Sequence, residues 1–319
     1  MIEYIDIKNY KCFKSFKIEG LSRINIISGK NNVGKTALLE AFFLTQEFGE
    51  GTIAKNRNIN KNQYANYLKG FSFFISATDT GVISFKVKNR KKLNEKELQE
   101  VAKLNNDYNE FICEYVDEEI DIRPLEKEKM RDEHDVSSYI NSSKPSNESL
   151  VQLYSEIQTK GVQHKFLEYL QKLDGNIKWI EPQALNNEMV LRVNLNNPTI
   201  SLPTSELGEG VNRYIEILAT MLSDNECVFI DEIENGLHYS KLVDIAKAII
   251  EIAEKEDIQL FITTHDKDTI EAFSFACKEL EFKNFCSIEL YKDEKGNLKS
   301  ITRDADQFVA TIDTGIEVR

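Results

Sequence analysis

Gly29-Lys30-Asn31-Asn32-Val33-Gly34-Lys35-Thr36 decides the reading of this chain. It fits G-x-x-x-x-G-K-[ST], the pattern of a phosphate-binding loop. Ile24-Asn25-Ile26-Ile27 before it is an apolar run that reads as a buried strand. Ala37-Leu38-Leu39-Glu40-Ala41-Phe42-Phe43-Leu44 after it is rich in good helix formers. A strand, a glycine-framed loop and a helix in that order give the motif the context it requires. Gly29 and Gly34 allow successive N–H groups to point inward, and the start of the helix adds its positive end. The expected cradle runs over Gly29, Lys30, Asn31, Asn32, Val33, Gly34, Lys35, Thr36 and Ala37, with Lys35 reaching the β- and γ-phosphates and Thr36 offering a hydroxyl to Mg²⁺.

The chain of 319 residues is long enough for one large domain or two modest ones, each with its own core. Its formal charge of −13 excludes a chain that is basic overall and holds nucleic acid by bulk charge, while leaving local patches open. The five cysteines (Cys12, Cys113, Cys227, Cys277 and Cys286) form no C-x-x-C pair, and with four histidines they suggest no zinc site. Isolated thiols fit a reducing compartment, so a cytoplasmic location is expected. Met1-Ile2-Glu3-Tyr4-Ile5-Asp6 is acidic and alternating, unlike a signal peptide, and no apolar run reaches membrane-spanning length.

Alternation over residues 1–18 and the apolar run 21–27 predict two or three strands leading into the loop, with the following helix ending near Gly49 or Gly51. Residues 56–62 are polar and rich in asparagine. Residues 72–76 and 82–87 read as a strand pair turning at Asp79-Thr80-Gly81. From Leu93 to about Lys172 the pattern is charged and mostly helical, with 126–148 polar enough for a mobile loop. The expected division is therefore a core of residues 1–60 and 176–319, interrupted by an inserted lobe at 61–175 that is mostly helical after a β-hairpin. Strands return at 177–180 and 189–195. A helix is expected from Gly210 through Met221, with Tyr214, Ile217, Leu218 and Met221 on its apolar face.

Cys227-Val228-Phe229-Ile230-Asp231-Glu232 is an apolar run ending in two acids, the pattern of a buried parallel strand with carboxylates at its C-terminal edge. Many strands end in solvated acids, but a phosphate loop in the same chain gives this pair a purpose. Asp231 is placed on Mg²⁺ and Glu232 on the attacking water. Residues 257–265 form a second such strand ending in His265, and the helical stretch 239–254 between them makes a β-α-β unit with parallel strands. The loop, the acid pair and the histidine should meet at one edge of one sheet, where a neutral imidazole can bond the γ-phosphate or the water.

These motifs resemble the ABC-type head ATPases, the group that includes the SMC, RecF and OLD proteins, and most of all its small OLD-like, AAA-annotated members. The resemblance is carried by Ile7-Lys8-Asn9-Tyr10-Lys11-Cys12-Phe13, the phosphate loop, Leu207-Gly208-Glu209-Gly210-Val211-Asn212-Arg213, residues 229–238, Thr263-Thr264-His265-Asp266 and the closing 315–319, which look like the family's natural end. It implies an α/β P-loop NTPase with an ABC-type head, a mixed sheet flanked by helices, and an inserted strand-plus-helix lobe. It also implies ATP and Mg²⁺ as ligands. By resemblance, Gly29 to Thr36 is the Walker A motif, Asp231-Glu232 is Walker B with its catalytic glutamate, 233–238 is the D-loop region and His265 is the switch histidine. Gly208 and Gly210 stand where the family's signature motif contacts nucleotide held by a second subunit. The transporter signature has serine at the place of Gly208, and the glutamine loop has no clear match, Gln46 lying close behind the first helix. About 50 residues follow His265, too few for the OLD nuclease domain.

The resemblance therefore implies an ATP-hydrolysing switch. It would dimerise, or form a higher homo-oligomer, around ATP-Mg²⁺. It would control a nucleic-acid transaction or a separate effector protein, in bacterial antiviral defence or DNA repair. The alternative is the nucleotide-binding subunit of an ABC transporter, which needs a membrane partner and a coupling surface near the insertion, and against which the signature mismatch at Gly208 argues. Nucleic acid is left open by the basic run Lys86-Val87-Lys88-Asn89-Arg90-Lys91-Lys92, although such runs are more often solvated strand ends.

Overall fold

The computed structural model describes residues 1–48, 83–89, 109–116, 119–124, 137–185 and 188–316. The expectations placed on 56–62, 72–76, 79–81, 90–92, 126–136 and 317–319 lie outside these residues.

Two antiparallel strands, β1 (Ile2–Tyr10) and β2 (Phe13–Glu19), lead into β3 (Ile24–Gly29), all of whose residues are buried. The phosphate loop follows, then α1 (Lys35–Phe48); the helix end expected near Gly49 or Gly51 lies outside the described residues. Next in chain order come β4 (Ile83–Asn89), β5 (Asn109–Val116), β6 (Glu119–Pro124) and β7 (Ser137–Ile140). Helices α2 (Asn147–Lys160) and α3 (Gln163–Leu173) precede the meander β8 (Ile177–Leu185), β9 (Glu188–Leu195) and β10 (Ile200–Pro203). The remainder is α4 (Glu209–Leu222), β11 (Cys227–Ile230), α5 (Leu242–Lys255), β12 (Gln259–Thr263), α6 (Lys267–Glu279), the hairpin of β13 (Phe285–Lys292) and β14 (Leu298–Asp304), and α7 (Ala305–Asp313).

Six strands form the central sheet in the order β14-β13-β3-β12-β11-β7. β13, β3, β12, β11 and β7 run parallel, and β14 returns antiparallel on β13, so the sheet is mixed. Side-chain alternation divides its strands between two cores. Ile24, Ile26, Val228, Ile230, Leu260 and Ile262 join the helical layer of α2 to α6. Ile27, Phe229, Phe261, Ile288 and Leu290 join Leu38, Leu39 and Phe42 of α1 and the buried residues of β1 and β2. Phe42, Phe261 and Phe229 stack in series through this second core, with centroids 4.3 and 5.3 Å apart. The start of α1 is thereby fixed beside the C-terminal ends of β11 and β12.

The middle of the chain corrects the sequence reading. Residues 109–116 and 119–124, expected as helix, are strands that pair with each other. They extend the sheet begun by β2 and β1, in the order β2-β1-β4-β5-β6. Phe111-Ile112-Cys113-Glu114-Tyr115-Val116 is rich in the aromatic and β-branched residues that favour strands, and the charges around it mask that preference. Within the stretch expected as a mobile loop, Ser137–Ile140 is strand β7, paired to β11 in the central sheet. α2 and α3 also fall before the expected boundary at 175, yet Leu150, Tyr154, Ile157, Phe166 and Leu170 lie in the main helical core. The Tyr154 hydroxyl donates to the Ile180 carbonyl at 2.8 Å, tying α2 to the meander. Residues 137–173 therefore build the core that they were expected to interrupt.

Candidate active site

The carboxyl ends of β3, β12 and β11, three adjacent parallel strands, deliver the loop, His265 and the Asp231-Glu232 pair to one edge of the sheet. That edge is where α/β sheets bind ligands. Gly29 closes β3 with φ of +145°, and a methyl group there would sit 2.5 Å from the Leu290 carbonyl oxygen and 2.9 Å from Val33. Both the backbone angle and the space demand glycine. Lys30, Asn31 and Asn32 are exposed, Val33 is buried beneath them, and Ala37 packs against the second core. The Lys35 ammonium folds over the loop and donates to the carbonyls of Gly29 at 2.8 Å and Lys30 at 3.1 Å. Burial lowers the Lys35 pKa, and the carboxylates of Glu232, Glu234 and Asp231 work against that shift.

Asp231 is the hub. Its carboxylate accepts from Thr36 Oγ1 at 3.1 and 3.2 Å and from Thr263 Oγ1 at 2.6 Å. Burial raises its pKa, while the Thr263 and Thr36 hydroxyls pull it back down. The Thr263 hydroxyl also accepts the Glu232 N–H at 2.7 Å, which ties the ends of β11 and β12 together. Glu232 takes up a left-handed backbone, φ +46°, and turns away from the strand. Its Oε2 accepts from the Asn235 side chain at 2.9 Å. His265 Nδ1 lies 3.8 Å from Glu232 Oε1.

Gly208 and Gly210 form the start of α4. Gly208 is its N-terminal cap, exposed, with open space where a side chain would be. Gly210 packs on the turn after Asp231-Glu232, where a methyl group would meet the Gly236 carbonyl oxygen at 2.5 Å. The structure thus joins the candidate signature loop to the 233–238 turn. Gln46 lies in the last turns of α1, whereas the strand end beside β11 is that of β7, followed by Asn141.

Several residues at this edge enter the sequence reading only as members of motifs, with no side-chain role assigned. Arg213, nearly buried, donates to the carbonyls of Asp231 at 2.7 Å and Asn141 at 2.6 Å and pairs with Glu216 at 3.0 Å. It locks α4 to the ends of β11 and β7. Asn235 bridges Glu232 to the Ser142 carbonyl, and Thr263 and Glu234 brace Asp231 and His265. The available signal was Arg213's position one helical turn inside α4, a place where a buried arginine has to find partners.

Residues 24–270 match the model of a family described as "AAA domain, putative AbiEii toxin, Type IV TA system". The chain belongs to this AAA-domain family. An "ATP/GTP phosphatase" of Helicobacter pylori is 25% identical over 344 aligned positions, covering 90% of this chain and 92% of that protein. Among solved structures, an SMC head bound to the C-winged helix domain of ScpA aligns at TM-score 0.60 and 12% identity over 95% of this chain and 97% of that one. An SMC head with an extended coiled coil, bound to the C-terminal domain of ScpA derived from Pyrococcus furiosus, aligns at TM-score 0.60 and 10% identity over 99% of both chains. These likenesses establish the α/β fold of an ABC-type head. With family membership and its phosphate loop, the chain is an AAA-domain ATPase. Among the described residues, no helix is long and apolar enough to cross a membrane.

Proposed function

We propose that this AAA-domain ATPase is a switch in which two copies close over ATP, with the Gly208–Gly210 loop of each completing the phosphate site of the other. The observation that carries the reading is the pairing of Thr36 with Asp231 at 3.1 Å, beside Glu232 and His265, on the same edge as the cradle of Lys35. A hydroxyl and a carboxylate side by side are hard oxygen donors, the set that suits Mg²⁺, so Thr36 and Asp231 would hold the ion. When bound, the ion neutralises charge on the β- and γ-phosphate oxygens. Lys35 and the loop amides orient the triphosphate. Glu232 takes a proton from water as the water's oxygen bonds the γ-phosphorus and the bond to the bridging oxygen breaks, giving ADP and phosphate. His265 bonds the γ-phosphate or the water. The start of α4, where Gly208 and Glu209 are exposed and no side chain caps the helix, suits a second anion contact with nucleotide held by a neighbouring copy.

The downstream action we propose is control of a separate effector or of a nucleic-acid transaction, in bacterial antiviral defence or DNA repair. The family's description, "putative AbiEii toxin, Type IV TA system", and the ScpA-bound state of the similar SMC heads are compatible with an effector partner. The test is Glu232→Gln. With ATP and Mg²⁺ it should run as a dimer by light scattering and retain unhydrolysed nucleotide. A variant that stays monomeric and turns over ATP at the wild-type rate would remove Glu232 from the role and the dimer with it.

A further inference from the structure

Glu234 carries a carboxylate that the hydrolysis scheme leaves without a task, and its side chain is only 11% exposed. Its Oε1 accepts the His265 backbone N–H at 2.9 Å and lies 2.9 Å from His265 Nδ1. The same ring nitrogen is 3.8 Å from Glu232 Oε1, so the imidazole stands between two carboxylates. Neither His265 Nδ1 nor Glu234 Oε2, both buried, makes an aligned hydrogen bond. The imidazole is therefore held by proximity, and the choice of carboxylate decides which way it turns.

Two differences favour Glu234. It is closer, and its side chain is less exposed than that of Glu232, which is 35% exposed, so its attraction is less screened by water. Glu232 meanwhile has its own guide, because Asn235 donates to its Oε2 at 2.9 Å and to the Ser142 carbonyl at 3.1 Å. Glu234 and Asn235 are successive residues of one turn. One directs His265 and the other directs Glu232.

We infer that Glu234 is a positioning residue that engages Nδ1 of His265 and holds the imidazole off Glu232, leaving the Glu232 carboxylate free to face water. Engaging Nδ1 fixes the ring so that Nε2 points away from Glu234 toward the nucleotide edge. Without Glu234, the other carboxylate beside Nδ1 is Glu232 itself, and an imidazole bonded there would occupy the base. The inference rests on the roles given above to Glu232 and His265.

The experiment is a cycle of ATPase rates for wild type, Glu234→Gln, His265→Gln and the double variant. Glutamine keeps an oxygen to accept the His265 N–H but loses the charge. Glu234→Gln should lower kcat by about tenfold with KM within about twofold. In the His265→Gln background the same change should cost less than about twofold, because the residue it positions is gone. An equal loss in both backgrounds, or an effect confined to KM, overturns the inference. In the wild-type protein, ring ¹⁵N shifts should show Nδ1 of His265 protonated at neutral pH, and an unprotonated Nδ1 overturns it without any variant. Full activity in both Glu232→Gln and His265→Gln would instead bring down the catalytic reading. Loss of activity in those two beside an unimpaired Glu234→Gln removes Glu234 alone.

Discussion

At the scale of single residues, the site combines groups chosen by chemistry with groups chosen by space. Gly29 is of the second kind, with a left-handed backbone and a carbonyl 2.5 Å from where a methyl group would sit. The obstructing atom belongs to the backbone of β13, so it cannot swing aside. Gly29→Ala should lower stability by about 2–3 kcal/mol and abolish binding of a fluorescent ATP analogue, since the loop must shift to admit the methyl. A melting temperature and affinity at the wild-type level would contradict this. The loop and the Asp231-Glu232 pair were legible in the sequence because their chemistry is written in contiguous residues between apolar runs. Arg213, Asn235 and Glu234 were not, since each acts across the fold on a group that only folding brings near. Arg213 reaches carbonyls 18 and 72 residues away.

At the scale of elements, the least legible piece is β7. Ser137-Ser138-Tyr139-Ile140 is four residues long with one fully buried side chain, and only its ladder to β11 makes it a strand. The helical character of α2 and α3 was legible from their periodicity, but periodicity names a face without naming the core that it meets. α4 offers the sharper test, because Gly210 brings its first turn onto the Gly236 backbone. A methyl group there has to push the start of α4 off the turn that carries Glu234 and Asn235. Gly210→Ala, placed in the Glu232→Gln background, should keep nucleotide affinity within about threefold. It should weaken ATP-dependent pairing by about tenfold, about 1.4 kcal/mol, measured by sedimentation. Unchanged pairing would mean that the first turn of α4 plays no part in joining two copies.

For the whole molecule, the strand order matters most. Placing β3, β12 and β11 side by side gathers the loop, His265 and Asp231-Glu232, which lie far apart in sequence, while α4 starts with Gly208 exposed and Gly210 packed on the Gly236 turn. The phosphate loop and the glycines at the start of α4 belong to one folded body, in which Arg213 fastens α4 to the ends of β11 and β7. If ATP joins two such bodies, stability must depend on protein concentration, because a species that forms only from two folded copies is favoured by mass action. The size of the effect follows from the chain length. Unfolding carries an entropy of about 0.7 kcal/mol/K for a chain of this size, and about twice that for a pair. A hundredfold rise in concentration supplies about 2.7 kcal/mol, so the melting temperature of Glu232→Gln with ATP and Mg²⁺ should climb by about 2 °C. With ADP, or with no nucleotide, it should not move. If the ATP-bound variant melts at one temperature across that range, ATP binds a single copy, and the glycines at the start of α4 need another explanation.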